Sequence, residues 1–369
     1  MAKEFTIGKT KVGNDNPCFI IAEIGINFDG QYEKALKLID VAADAVCNAV
    51  KFQLFRADAM YIRGTGEDKS GDGRKKNIYK IVKDSELSHE WIPKLKKYAN
   101  GKGLEFFSTV CEEEGVDILE KYKVDAYKIA SYEITHIPLL RYMAKKRKPI
   151  IFSSGDATLL EISEALEVFK EENNQNIALL HCIGDYPAPL KDLNLNVIKT
   201  FISAFPNIVI GYSDHSVSPV IAPIAAVVLG AKIIEKHITL DKNSLGPDHI
   251  FALEPKEFSL MVKTIRDTEA KINRGDTIKI DKKVLGTSEK KIYSKKEQMT
   301  RDFGFRCIFA RKNIKKGELF TKENTIVLRS GNEKRGLHPR YCYLLLNGHR
   351  AVRDIKADKS MVWDDILSK

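Results

Sequence analysis

The chain has 369 residues and a formal net charge of +10, from 60 Lys and Arg against 50 Asp and Glu. That length allows two domains and a large core, and the positive charge suits an anionic substrate as well as nonspecific contact with nucleic acid. The six cysteines are scattered, without the Cys-x-x-Cys spacing of zinc and redox sites. The sequence has no nucleic-acid-binding motif, no apolar targeting segment and no apolar run of roughly 18 residues. We therefore predict a cytoplasmic protein that binds neither nucleic acid nor a membrane.

Short apolar segments recur over the first two thirds of the chain, and each is typical of a parallel strand buried on both faces. The eight candidate strands are residues 19–24, 49–54, 104–109, 126–130, 149–154, 177–182, 208–213 and 232–239. Amphipathic helices are predicted between them, for example at residues 32–45, 160–172, 193–205 and 255–271. This α/β alternation over roughly 270 residues predicts a (β/α)8 barrel, or TIM barrel. An open doubly wound sheet is the alternative, although no Gly-x-Gly-x-x-Gly turn follows the first strand.

The remaining segments predict a charged connection, a linker and a small second domain. Residues 62–83 are Gly-rich and charged, which predicts a surface loop or lid. Residues 274–298 are rich in lysine and poor in apolar side chains, as a linker is. Short β-like segments follow at residues 306–310, 325–328 and 351–354.

The carboxyl ends of the predicted strands carry an unusual set of polar side chains. Lys51 and Lys128 lie in otherwise apolar segments, where a buried lysine is costly unless an anion meets it. Either lysine alone is equally consistent with a structural ion pair. Together with serines at neighbouring strand ends, the two lysines predict a binding site for phosphate or carboxylate. The other candidates at these ends are Glu23, Gln53, Thr109, Ser131, Glu133, Ser153, Tyr186 and Ser213.

Two of the predicted strands end in a histidine in a matching context. His215 follows an apolar run that ends in Ser213 and Asp214, and His237 follows Ile233-Ile234-Glu235-Lys236. Shortly afterwards comes Gly-Pro-Asp, which places Asp248 near the same strand end. Because strand ends of a barrel meet at one rim, the two histidines predict a metal site there. Two unrelated histidines, each satisfied by a hydrogen bond, are the alternative.

The sequence resembles the sialic acid synthases at these positions and beyond them. The shared segments are Ile-Ile-Ala-Glu-Ile-Gly-Ile-Asn (20–27), Ala-Val-Lys-Phe-Gln (49–53), Tyr-Lys-Ile-Ala-Ser (127–131), Ser-Ser-Gly (153–155), Leu-His-Cys (180–182), Tyr-Pro-Ala-Pro (186–189), Gly-Tyr-Ser-Asp-His (211–215), Glu-Lys-His-Ile-Thr-Leu (235–240) and Gly-Pro-Asp-His (246–249). Residues 310–318 and 328–332 resemble the antifreeze-like, or SAF, domain that ends these enzymes. The resemblance implies a synthase barrel in residues 1–280, a linker in 281–300 and an SAF domain in 301–369.

The resemblance also implies a reaction. Phosphoenolpyruvate would condense with an N-acetylmannosamine-type sugar and water, giving a nine-carbon 2-keto sugar acid and phosphate. A divalent metal on His215 and His237, Mn²⁺ first with Mg²⁺ or Co²⁺ as alternatives, would polarise the sugar aldehyde. Glu23 would transfer a proton or steer the attacking water. Phosphoenolpyruvate would bind Lys51, Lys128, Ser131, Ser153 and Ser213, with Thr109 as a further substrate contact, and the sugar would bind Gln53, Glu133, Tyr186 and Asp248.

The resemblance further implies a homodimer with domain-swapped tails. Arg329 matches an arginine that crosses to the partner's active site, where its planar guanidinium would bind the acyl group of the sugar. A surface arginine on a loop is the alternative reading of the same residue.

The sequence departs from the resemblance at three places. Phe28 stands where an imidazole is usual, Gly184 stands where Asn or Ser is common, and residues 333–335 lengthen a loop near Arg329. Gly-Leu-His-Pro at 336–339 is shared with pseudaminic acid synthases, whereas Gly-Pro-Asp-His favours the sialic and legionaminic branches. Synthases of legionaminic or pseudaminic acid, acting on a diacetamido-trideoxy hexose, therefore stay open. A noncatalytic sugar- or polyanion-binding relative is the remaining alternative, and the retained charged residues favour the enzyme.

Overall fold

The computed structural model describes residues 3–68, 76–292 and 294–367. Its strands are β1 Glu4–Ile7, β2 Thr10–Gly13, β3 Phe19–Gly25, β4 Ala49–Leu54, β5 Glu67–Asp68, β6 Lys76–Asn77, β7 Glu105–Val110, β8 Tyr127–Ile129, β9 Ile150–Ser153, β10 Ile177–Cys182, β11 Val209–Asp214, β12 Ile233–His237, β13 Arg306–Ala310 and β14 Thr325–Arg329. Its helices are α1 Tyr32–Asp44, α2 Ala57–Met60, α3 Ile78–Asp84, α4 Ile92–Gly101, α5 Glu113–Lys121, α6 Ile137–Lys145, α7 Leu159–Glu171, α8 Val197–Ala204, α9 Ile221–Val228, α10 Pro255–Asn273, α11 Lys295–Gly304 and α12 Cys342–Leu346.

Eight parallel strands close into a barrel in the order β3-β4-β7-β8-β9-β10-β11-β12, with β12 paired to β3. These are the eight predicted strands, and their ends differ from the prediction by at most two residues. Helices cover the outside of the barrel, so both faces of each strand are buried and the sequence reads as a continuous apolar run. The predicted TIM barrel is confirmed.

The starts of two covering helices, α7 and α8, can be compared with the prediction. Thr158 and Glu161 form a reciprocal capping box that starts α7 close to the predicted position. α8 starts four residues later than predicted. The residues just before it hold a segment that follows the barrel, because the backbone N–H groups of Leu195 and Asn196 donate to the carbonyl oxygens of Val284 and Leu285.

An N-terminal hairpin that the sequence analysis did not predict closes the bottom of the barrel. β1 pairs antiparallel with β2, and Phe5, Ile7 and Val12 pack into the barrel interior against residues such as Phe19 and Phe107. This apolar plug fills the end of the barrel where the strands begin. The polar side chains are consequently confined to the opposite end, where the strands finish.

The tail forms a small domain around its own apolar core. β13 pairs antiparallel with β14, and the core beneath them includes Ile308, Phe320 and Met361. The predicted strand at 351–354 is wrong. Its backbone groups bond to two different segments, Ala351 to Glu318 and Val352 to Asp365, so no continuous ladder forms.

The first part of the stretch predicted as a linker, residues 281–288, lies along the barrel. It contains a 3-10 turn at Lys282–Val284, and Thr200 Oγ1 donates to the carbonyl oxygen of Ser288 at 2.7 Å. In the predicted lid, the described part holds β5, β6 and α3, and residues 69–75 lie outside the described residues. Among the helices of the described ranges, none is long and apolar enough to cross a bilayer.

Candidate active site

A buried network of charges lies at the carboxyl ends of β3, β4 and β12. Lys51 Nζ is 2.8 Å from Glu23 Oε2 and 3.7 Å from Glu235 Oε2, and it donates to Thr109 Oγ1 at 2.9 Å. Gln53 donates to the second oxygen of Glu23 at 2.8 Å. The structure therefore brings four of the predicted residues together, and it adds a carboxylate at Glu235.

Lys128 joins this network from β8. Its Nζ donates to Ser153 Oγ at 2.6 Å and lies 3.8 Å from Glu235 Oε1. Ser213 donates to the same carboxylate at 2.9 Å. Each lysine thus faces a carboxylate of its own chain, as the ion-pair alternative predicted, and two positive and two negative charges are enclosed at one rim.

Glu235 received no role from the sequence, although its strand contains the signal. Side chains alternate along β12, so Glu235 and His237 share one face while Lys236 points to the other. Lys236 Nζ lies 2.7 Å from Asp214 Oδ2, and both side chains are inaccessible to solvent. Because side chains alternate along a strand, the sequence Glu-Lys-His predicts that Glu235 belongs to the site and that Lys236 has a structural role on the opposite face.

The two carboxylates of the network have opposite pKa shifts. Burial raises the pKa of Glu23 above its ordinary value, despite the nearby Lys51. Burial also acts to raise the pKa of Glu235, but Lys128 and Lys51 outweigh it and the net shift is downward. Glu23 is therefore the carboxyl group prepared to exchange a proton, while Glu235 stays ionised as the counterion of the lysines.

His215 and His237 lie side by side at the same rim. Their ring centroids are 5.7 Å apart, and burial lowers the pKa of both imidazoles, which keeps them neutral. His215 donates from Nδ1 to the carbonyl oxygen of Ile183 at 2.8 Å, which leaves the lone pair of Nε2 free. Nδ1 of His237 is buried without a hydrogen-bond partner among the described residues. Two neutral imidazoles with available lone pairs fit a divalent metal.

The other predicted residues around the histidines supply a wall and a carboxyl group. The ring of Tyr186 packs 4.3 Å from the ring of His215 and 5.4 Å from that of Phe251, which also contacts His237. Asp248 Oδ2 is 3.9 Å from Nδ1 of His237, and burial, with Glu23 nearby, raises the pKa of Asp248 to about 6. The described part of the chain contains no cluster of three or more His, Cys, Asp and Glu side chains able to hold a metal.

Two arginines of the tail enclose Glu133 at the top of β8. Arg329 donates to Glu133 Oε1 at 2.6 Å, and Arg306 donates to Oε2. Glu133 and Arg306 are inaccessible to solvent. Burial alone would raise the pKa of Glu133, but the two guanidinium groups outweigh burial and lower it to about 2. The structure therefore joins two predicted sugar contacts, Glu133 and Arg329, in one ion-pair cluster with Arg306, which the sequence analysis missed.

Comparison with known proteins identifies the same two parts of the chain. The model of the NeuB family matches residues 38–277, and that of the SAF domain matches residues 305–367. The spore coat polysaccharide biosynthesis protein SpsE of Bacillus subtilis is 48% identical over 365 residues, which cover 99% of this chain and 98% of that protein. Pseudaminic acid synthase of Campylobacter jejuni is 36% identical over 352 residues, which cover 94% of this chain and 96% of that protein.

The chain belongs to the NeuB family. Solved structures of related proteins agree with this assignment. The crystal structure of SpsE superimposes with a TM-score of 0.90 over 99% of both chains. The sialic acid synthetase of Leptospira borgpetersenii, solved in complex with citrate, superimposes with a TM-score of 0.67 at 35% identity, covering 76% of this chain and 93% of that one. The predicted resemblance to the sialic acid synthase family is confirmed, together with the SAF domain.

Within this NeuB-family fold, the Phe28 departure is accommodated by aromatic packing. Phe28 is inaccessible to solvent and packs on Phe52 and Trp91, with ring centroids 6.0 and 6.2 Å away. The next residue, Asp29, accepts a hydrogen bond from Nε2 of His249 at 2.9 Å. Phe28 therefore lies in the core behind the rim, and its neighbour anchors the loop that carries Asp248.

At Gly184, the second departure, the space of the absent side chain is filled by another residue. A Cβ atom added at Gly184 would lie 2.0 Å from Oδ1 of Asp156, a separation that real Cβ atoms do not adopt. The carboxyl group of Asp156 thus occupies the space that a side chain at position 184 would need. A larger residue at position 184 would require the side chain of Asp156 to move.

The tail of this NeuB-family chain lies on its own barrel. Besides pairing with Glu133, Arg306 donates to the carbonyl oxygens of Ala59 at 2.8 Å and Cys111 at 3.0 Å, both in the barrel domain. The Arg329 guanidinium also stacks 5.0 Å from the ring centroid of Tyr132. In this structure Arg329 therefore meets Glu133 of its own chain, whereas the sequence predicted that it crosses to a partner, and the homodimer itself stays a prediction.

Proposed function

We propose that the protein condenses phosphoenolpyruvate with an N-acetylmannosamine-type sugar and water, and releases phosphate and a nine-carbon 2-keto sugar acid. The observation that carries the proposal is the enclosed network of Glu23, Lys51, Lys128 and Glu235 beside His215. A neutral arrangement of two lysines and two carboxyl groups can receive an anionic substrate when a carboxyl group takes up a proton. The relatedness to SpsE and to pseudaminic acid synthase supports the same class of reaction.

Lys51 and Lys128 bind the phosphate and carboxylate of phosphoenolpyruvate, with hydroxyl donors from Ser153 and Ser213. Carbon three of the enol adds to the aldehyde carbon of the sugar, and the aldehyde oxygen takes up the proton that Glu23 carries. Water adds to carbon two, and Glu23, now ionised, accepts a proton from it. The carbon–oxygen bond to the phosphoryl group then breaks, phosphate leaves with the bonding electron pair, and the hydroxyl group on carbon two gives its proton to the departing phosphate as the ketone forms.

A divalent metal, Mn²⁺ in our proposal, would be held by His215 and His237 and would act as a Lewis acid toward the aldehyde oxygen. Asp248 and Tyr186 form the wall around this position and orient the sugar. Arg329, held in place by Glu133, faces the acyl substituent, where its planar guanidinium suits a carbonyl oxygen.

Release of phosphate tests the proposal directly. The full chain is mixed with phosphoenolpyruvate, Mn²⁺ and, in separate reactions, N-acetylmannosamine and 2,4-diacetamido-trideoxy hexoses. Sugar-dependent release of phosphate with formation of a 2-keto acid is expected for at least one sugar. The sugar that reacts decides between the sialic, legionaminic and pseudaminic branches. Sugar binding without turnover for every compound would instead support the noncatalytic alternative.

Replacing Lys51 or Lys128 with Met is expected to raise the KM for phosphoenolpyruvate about tenfold or more. Each variant loses charge-assisted hydrogen bonds worth about 1.5–3 kcal/mol, while the KM for the sugar changes little. Steady-state kinetics with each substrate varied in turn measures both constants. Lys236→Met is the matched control, because that lysine is buried on the opposite face of β12. It should lower stability and leave the ratio of the two KM values unchanged, and equal changes for both substrates in the site variants would refute the assignment.

We also propose that each active site is closed by the tail of its own chain. The contacts of Arg306 and Arg329 with Glu133 support this, as does the close superposition with SpsE over 99% of both chains. An Arg329→Ala chain is mixed with a His237→Ala chain under conditions that allow subunit exchange. The mixture should show only the sum of the two activities, because neither chain can complete the other. Recovery of activity in mixed dimers would show that the tail crosses to a partner.

The six cysteines, all of which the structure describes, are free thiols. Free thiols and a phosphoenolpyruvate substrate both support a cytoplasmic location in our proposal.

A further inference from the structure

Asp156 is a buried carboxyl group to which the proposed reaction has so far given no role. It follows β9 by three residues, and its side chain is inaccessible to solvent. Neither of its carboxyl oxygens has a hydrogen-bond partner among the residues that the structure describes. A buried carboxyl group without any partner is costly, so an unpartnered pair of oxygens points to a missing ligand.

The loop that carries Asp156 also carries groups of the proposed anion site. The preceding residue, Gly155, donates its N–H to Ser131 Oγ at 2.9 Å. A Cβ at Gly155 would meet Cys182 Sγ at 3.4 Å, so the two strand ends touch here. Ser153, three residues before Asp156, accepts the hydrogen bond from Lys128. The carboxyl group is thus attached to the same short loop as the proposed phosphate-binding hydroxyl groups.

Gly184 leaves room for this carboxyl group from the neighbouring strand end. The carboxyl oxygens of Asp156 would lie 2.0 and 2.3 Å from a Cβ at position 184. No side chain can occupy position 184 while Asp156 keeps this conformation. The side chain of Asp156 therefore fills the space next to its own strand end and the space that a side chain at position 184 would need.

The surroundings of Asp156 favour its neutral form. Burial raises its pKa to about 7, and the carboxylates of Glu297 and Asp185 act in the same direction. Lys290 and Arg301 act in the opposite direction, and Tyr132, Tyr186 and the thiol of Cys182 are the other titratable groups nearby. A neutral carboxyl group carries one O–H donor, whereas the charged form can only accept.

We infer that Asp156, in its protonated form, donates a hydrogen bond to the phosphate of the bound anionic substrate, and that Gly184 exists to admit it. This inference rests on the proposed function. It makes Asp156 a substrate-binding residue, and it predicts that binding of phosphoenolpyruvate requires a proton on this side chain.

Calorimetric titration of phosphoenolpyruvate into the full chain with Mn²⁺ tests this inference. The proteins compared are the unaltered chain, Asp156→Asn, Asp156→Ala and Asp185→Asn, each at about pH 6.5 and about pH 8.5. The amide of Asp156→Asn keeps a donor at all pH values, so it reports the pH dependence that comes from the substrate phosphate and other groups. Asp185→Asn is the matched control that removes a neighbouring charge without touching the donor.

The dissociation constant of Asp156→Ala should exceed that of Asp156→Asn about tenfold at the lower pH, for the loss of one hydrogen bond to a charged group. The ratio of the constants of the unaltered chain and Asp156→Asn should rise about tenfold between the two pH values. The sign follows because the group must gain its proton to bind, and above its pKa that proton is progressively lost. Asp185→Asn should still show the rise.

A double variant separates this role from a structural one. In Asp156→Ala/Gly184→Asn, the new amide can occupy the vacated space and donate, so binding should return to within a few-fold of Asp156→Asn at both pH values. Equal weakening by Asn and Ala at position 156, or a ratio that does not change with pH, would overturn the inference alone. Failure of the unaltered chain to bind phosphoenolpyruvate would overturn the inference and the proposed function together.

Discussion

Replacing His215 or His237 with alanine is expected to lower kcat by at least about a hundredfold and to weaken metal binding. The two imidazoles are neutral, buried and 5.7 Å apart between ring centroids, and each variant removes one of two protein ligands. Metal content after dialysis and phosphate release at increasing Mn²⁺ measure the two effects. Removing the metal from the unaltered chain with a chelator should produce a comparable loss that added Mn²⁺ reverses.

His89→Ala is the matched control for these variants. His89 lies in a 3-10 turn before α4 and takes no part in the contacts of the proposed site among the described residues, so its removal should leave metal content and kcat unchanged. If both site variants keep full activity in chelator-treated buffer, the proposed metal site is wrong. If they lose activity but retain the metal, the histidines act directly on the substrate.

Replacing Glu133 with alanine is expected to destabilise the protein by about 3–5 kcal/mol, because two buried guanidinium groups lose their shared counterion. The same change should lower kcat/KM for the sugar, since Arg329 is no longer held at the rim. Urea unfolding gives the stability, and limited proteolysis reports whether the tail is still docked. Glu114→Ala is the matched control, because Glu114 pairs with Arg56 at the surface and should change stability by less than about 1 kcal/mol.

The Glu133 cluster also predicts a loss of stability in acid. The pKa of Glu133 is lowered from 4.5 to about 2 in the folded chain. A depressed pKa stabilises the folded state above the unfolded value, and this contribution disappears as the pH falls from 4.5 toward 2. Glu133→Gln should therefore be less sensitive to pH in this range than the unaltered chain. Identical acid unfolding of the two proteins would contradict the assignment.

The strand ends were predictable because their signals are local. An apolar run that stops at Glu23, Lys51 or His237 shows where a buried strand finishes, and closure of a barrel brings all such ends to one rim. The period of two along a strand could also have separated Glu235 from Lys236. The predicted site residues of the barrel are accordingly found together at this rim.

The partners of these residues could not be predicted in the same way. Glu133 and Arg306 are 173 positions apart in the chain, and neither sequence neighbourhood records that they meet. The N-terminal plug, the path of residues 281–288 along the barrel and the placement of the tail depend on long-range contacts of the same kind. The predicted strand at 351–354 failed for this reason, since its backbone groups are used by two distant segments.

The sequence by itself determined the barrel, the boundaries of its strands and the residue types at their carboxyl ends, because burial and side-chain alternation leave a local pattern. Only the tertiary structure decided which charges neutralise one another, that Arg329 meets Glu133 of its own chain and that Asp156 takes the space above Gly184. These are pairings between side chains that are distant in sequence. Their free energy depends on distance and burial within the folded chain, and neither quantity exists until the chain has folded.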